Sequence, residues 1–96
     1  MLARPMALFL IERQFAERLE VTPDGVREVD EINADEGVFW VFSFLSSDQL
    51  RSYCVYEASS PAAILAAARR AGLPADAIVE VDKIDPAAYR AAAPQG

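Results

Sequence analysis

Two short phrases punctuate this chain and constrain most of what it can fold into: Thr22-Pro23-Asp24 and Ser60-Pro61. Each sets a hydroxyl residue ahead of a proline, the arrangement of a helix start. The hydroxyl accepts from an N–H of the first turn, and proline's preset φ and missing N–H cost nothing at the first helical position. After Thr22, the residues Val26, Val29 and Ile32 recur at helical spacing, while Arg27, Glu28, Asp30 and Glu31 take the solvent side. Gly37 suits a left-handed end. After Ser60 the apolar stripe is Ile64, Leu65, Ala68 and Ala71, with Arg69 and Arg70 favouring the negative end of the helix dipole. Gly72 and Pro74 stop that helix.

The segments around these helices read as strands. Residues 7–13, ALFLIER, form a short apolar run ending in charge. Residues 38–46, VFWVFSFLS, and 51–57, RSYCVYE, flank a turn at Ser47-Asp48-Gln49 and read as a hairpin. Residues 77–82, AIVEVD, make a last strand. The order is β-α-β-β-α-β, which predicts an α+β, ferredoxin-like plait: a four-stranded antiparallel sheet with both helices on one face. Residues 6–85 constitute that domain, residues 1–5 a flexible leader with Met6 as an alternative start, and residues 86–96 a tail forming a short helix or fraying.

With 96 residues the chain is one domain, and at 53% apolar and 25% charged it is globular. The net charge of −6, with eight arginines and one lysine scattered, excludes a nucleic-acid surface, which needs clustered cations to neutralise phosphates. The apolar run from Met6 to Ile11 is too short for a secretory signal or a membrane span. A single cysteine cannot form an internal disulfide, so a cytoplasmic setting is the default.

There is no histidine. That removes Ser-His and Cys-His catalysis, the usual zinc sites and histidine-ligated haem. The four glycines are dispersed, so no phosphate-cradling loop and no cofactor is expected. Cys54 has no His or Lys beside it in sequence to lower its pKa and reads as a small buried strand residue.

The remaining candidates depend on how the sheet is assembled. The expected strand order is fourth, first, third, second. With the first and third strands taken as parallel neighbours, Glu12 and Glu57 end at one sheet edge, joined by Phe39, Trp40 and Glu80. Tyr53 shares the face of Glu57, and Tyr56 that of Cys54. Glu57, Glu12 and Tyr53 are therefore candidates for general acid–base work, and Trp40, Phe39, Glu80 and Arg13 for ligand contacts. A paired alternative for the carboxylates is an ion pair with Arg13, Arg51 or Arg69. Alternation is poor in the aromatic strand. Val38, Trp40, Phe42 and Phe44 fall on one side, and Phe39, Val41 and Leu45 on the other. The sheet face left open by the helices is thus expected to be apolar, and a homodimer packed sheet to sheet is the natural way to cover it.

Five segments carry a resemblance: FLIER (Phe9 to Arg13), Glu36-Gly37-Val38, YCVYEA (Tyr53 to Ala58), ARRAGLPAD (Ala68 to Asp76), and Ile78 to Val81. Together they cover roughly residues 6–85 and resemble a family of small bacterial ferredoxin-like domains of unknown function, whose studied relative is a nickel-binding protein. The resemblance implies the same fold. It does not carry over the metal: the histidines of nickel-binding relatives correspond to the neighbourhoods of Arg13, Phe39, Ala68 and Leu73, and no metal ligand is assigned. The leading expectation is a homodimeric module binding a small ligand in a cavity on the open sheet face. One alternative is a cofactor-free enzyme of cyclase or isomerase type with a carboxylate base; another is weak metal binding by Glu12, Glu57 and Glu80.

Overall fold

The computed structural model describes residues 6–92. Four strands, β1 (Ala7–Gln14), β2 (Phe39–Leu45), β3 (Arg51–Ala58) and β4 (Ala77–Val81), form one sheet in the order β2-β3-β1-β4. Helices α1 (Pro23–Asp35) and α2 (Pro61–Ala71) complete the β-α-β-β-α-β order, and α3 (Pro86–Ala92) comes after β4. This is the ferredoxin-like plait. Among the described residues no helix is long and apolar enough to cross a membrane.

Both helix starts are built as their sequences demand. Thr22 Oγ1 accepts from Gly25 N at 3.0 Å and Ser60 Oγ from Ala63 N at 3.4 Å, with proline in the first turn of each helix. At the other end of α2, Gly72 takes the left-handed conformation (φ 68°), which lets its own N–H reach Arg69 O and lets Leu73 N reach Ala68 O. A side chain there would strain the turn. Arg70 then bridges the two helices, donating to Asp35 at 3.1 Å and Glu36 at 3.2 Å.

Every neighbouring pair of strands is antiparallel. This corrects the expected parallel pairing of β1 and β3. The physical reason is connectivity: the crossover through α1 returns β2 parallel to β1, and the hairpin then reverses β3 against both. Along β1, Phe9, Ile11 and Arg13 are buried on the helix side, whereas Leu8, Leu10 and Glu12 lie on the other. In β3 the buried row is Ser52, Cys54, Tyr56 and Ala58. Ile64 and Ala67 of α2 close onto these rows to complete the core.

β2 departs from simple alternation. Trp40 pairs with Tyr56 and Phe42 with Val55, so Val41 is an extra residue in a β-bulge. The bulge inverts the facing of the residues beyond it. Trp40, Ser43 and Leu45 share the helix side, while Phe39, Phe42 and Phe44 share the open side opposite Glu57, Val55 and Tyr53. Trp40 is therefore not on the same face as Phe42 and Phe44, contrary to the uninterrupted period-2 expectation.

Ile64 is fully buried and Leu65, its neighbour, is on the exposed side of α2. Ile64→Ala is expected to cost about 2–5 kcal/mol and Leu65→Ala about 0.5 kcal/mol, read from urea midpoints at constant m value.

Candidate functional site

The antiparallel register disperses the carboxylate cluster expected at one sheet edge. Glu57 lies opposite Leu8, four residues along β1 from Glu12, a separation of roughly 13 Å at ~3.3 Å per residue. Glu80 pairs with Phe9, whose side chain is on the helix side, so it belongs to the opposite face from Glu12 and stands exposed on edge strand β4. Glu12 is instead paired across the sheet with Tyr53 and lies 3.8 Å from Arg51 Nη1, an ion pair on the open face. Tyr53 is next to Glu12, not Glu57. Phe39, 60% exposed, sits beside Glu57 at the far end of that face. The three glutamates therefore form no common cation site.

The structure places a cleft elsewhere, on the helix side of the sheet. It has a volume of about 470 Å³, and its walls come from the end of β1, the connector 15–22, α1, β2, β3 and the end of α2. The expectation from the sequence is a cavity on the open face instead. The connector 15–22 bends back to the hairpin turn. Phe15 N donates to Leu50 O at 2.8 Å, Leu19 N to Gln49 O at 2.9 Å, and Gln49 Nε2 returns a bond to Leu19 O at 3.1 Å. Gln49 adopts a left-handed φ of 63° in this turn. The connector is thus tied to the hairpin and roofs the space between them.

Of the ligand-contact candidates read from the sequence, Arg13 and Trp40 line this cleft. Trp40 Nε1 donates to Ser43 Oγ at 2.7 Å, and its ring stacks on Tyr56 with centroids 6.3 Å apart. The Arg13 guanidinium lies 5.9 Å from the Tyr56 ring centre and donates to Tyr56 Oη at 3.4 Å and to the Pro74 carbonyl. Burial pushes the Tyr56 phenol above its ordinary value, while the positive charge of Arg13 opposes that shift. Tyr56 is thus a neutral hydroxyl at any ordinary pH. Ser52 Oγ and the free Cys54 thiol, 3.5 Å apart and both buried, complete the β3 wall. In an adjoining recess that Arg13 and Tyr56 also line, Asn33 is buried with an amide nitrogen that has no acceptor.

Tyr56, Ser52 and Ser43 were missed by reading the sequence, which favoured Tyr53. The alternation Ser52, Cys54, Tyr56, Ala58 was visible. Following the crossover direction would have set that row beside Phe9, Ile11 and Arg13 on the covered face.

The same arrangement of strands and helices is found in known proteins. A family model described as nickel responsive protein SCO4226-like matches residues 9–81. The chain belongs to the SCO4226-like family. The crystal structure of SCO4226 from Streptomyces coelicolor A3(2) superposes with a TM-score of 0.63 at 24% identity, over 82% of this chain and 100% of that one. That likeness establishes the shared fold. Comparison with curated proteins finds no match.

The family description directs attention to nickel, and the donor set of this member does not fit it. Nickel(II) favours imidazole among protein ligands. The sequence holds no histidine, and among the described residues no three Cys, Asp or Glu side chains gather where they could hold a metal. Cys54 stands in the cleft wall without a second strong donor. Nickel titrated into the protein by calorimetry is expected to give no saturable heat. A stoichiometric exotherm that Cys54→Ser abolishes would contradict this.

Proposed function

We propose that the protein is a homodimeric module that holds a small, largely apolar molecule in the cleft between α1, the connector and the β2–β3 hairpin. The cleft itself carries the reading. A volume of about 470 Å³ falls within the range of small-molecule sites. Its lining is mainly apolar, from Phe15, Leu19, Val26, Val29, Trp40 and Leu73, with a few polar groups converging from Arg13, Tyr56 and Ser43. That mixture is typical of sites that bury a ligand's body and orient it by a few hydrogen bonds. The carboxylate candidates for a general base, Glu12 and Glu57, lie on the open face outside the cleft. The enzymatic alternative therefore draws no support from the cleft.

Trp40 is the single tryptophan and reports from the cleft wall. In titrations with the eight-carbon probes octanol, octanamide and octanoate, at least one is expected to change its emission saturably. Ala71→Phe, which intrudes from the end of α2, should remove that change. If none of the probes produces a saturable response, the cleft reading fails.

The open face supports the dimer. Phe42, Phe44 at 64% exposure and Val79 leave a contiguous aromatic and aliphatic surface across β2, β3, β1 and β4. Such a surface on so small a domain is costly to leave in water, and a two-fold axis lets one patch cover itself. Phe44→Asp is expected to shift a dimer to monomer in sedimentation equilibrium while leaving the circular dichroism spectrum unchanged. A wild-type protein that sediments as a monomer at all concentrations would end this part of the reading.

A further inference from the structure

We infer that the ligand of the cleft is an anion, an apolar monocarboxylate whose head group meets Arg13. This inference rests on the cleft reading above and deepens it.

Arg13 is 3% exposed, yet among the described residues no carboxylate stands within ion-pair distance of it. Its two hydrogen bonds go to the Pro74 carbonyl and the Tyr56 hydroxyl, both neutral. A guanidinium has five N–H donors and no acceptor, so most of its donor capacity is unspent. The nearest glutamate in sequence, Glu12, lies on the opposite face and pairs with Arg51. A buried cation without a counter-ion is expensive, and buried charges in folded proteins are normally paired.

The neighbouring polar groups add donors and no compensating charge. The Tyr56 phenol remains protonated, so its oxygen accepts from Arg13 while its proton is free to donate. Glu20 and Glu28, the carboxylates among the cleft residues, are both exposed. The inner wall at Arg13 and Tyr56 therefore offers donors and lacks an anion.

A carboxylate is the anion that fits. Its two oxygens match the guanidinium fork, and a single charge balances a single arginine. A phosphate would bring more charge and more acceptor sites than one guanidinium and one phenol can meet. The apolar lining from Phe15, Leu19, Val26 and Trp40 then takes an aliphatic or aromatic body, with the head group inward.

The experiment compares octanoate with octanamide, equal in size and differing in charge, followed through Trp40 emission. Octanoate is expected to bind wild-type protein at least about tenfold more tightly, the advantage of a charge-assisted over a neutral hydrogen bond. Arg13→Gln should erase that difference by weakening octanoate alone. Arg13→Lys, which keeps the charge and loses the fork, should restore it in part. If wild-type protein binds octanamide as tightly as octanoate, the carboxylate inference is overturned and the cleft reading stands. If neither binds, and octanol does not either, both fall. Because the wild-type comparison decides the question, it holds even if Arg13→Gln does not fold.

Discussion

The structure depends on β1 running antiparallel between two partners. It is hydrogen-bonded to β3 along its whole length and to β4 over most of it. A strand bonded on both sides cannot shift by one residue without exchanging every side chain between faces. The row Phe9, Ile11, Arg13 therefore lies against the helices, and the row Leu8, Leu10, Glu12 faces away. The neighbouring strands inherit this sorting through their register. It brings Tyr56 and Cys54 to the side of Arg13, and Tyr53 and Val55 to the side of Glu12.

The two faces that result have different chemistry. The helix side holds a core closed by Ile64 and, past the end of α2, a cleft where charged and aromatic groups meet. The open side holds phenylalanines, aliphatic residues and one surface ion pair at its end. Arg13 is where the two demands meet: strand alternation forces it inward, and the fold supplies a carbonyl and a phenol there instead of a carboxylate. Within a family described as nickel responsive, this member has a buried guanidinium in the cleft and no imidazole anywhere. Whatever recognition occurs at the cleft must use hydrogen bonds, charge and apolar contact.

Much of the fold was legible from local signals. Thr22-Pro23 and Ser60-Pro61 mark the helix starts, Gly37 and Gly72 adopt the left-handed conformation that ends helices, and the strand boundaries fall within a residue or two of the apolar runs. These signals are legible because caps, proline and left-handed glycine act within a few residues of chain. Strand direction was also deducible, by tracing the crossover and then the hairpin. Only a parallel β1 and β3 would have gathered Glu12 and Glu57, and the connectivity forbids it. The Val41 bulge was not deducible, because no residue type in FWVFSFL requires an extra residue, and only pairing with β3 reveals it.

The sequence by itself determined the elements, their order, the absence of imidazole chemistry and the presence of more apolar residues than one small core can hold. It determined these because each depends on composition or on contacts a few residues apart. The tertiary structure decided which charges meet, which face carries the aromatics and where the cleft lies. Those depend on register and on the path of the connector over the hairpin, contacts between residues some 30 to 60 positions apart. Arg13 illustrates the division: its place at the end of a strand on the covered face was readable, and its lack of a counter-ion there was not.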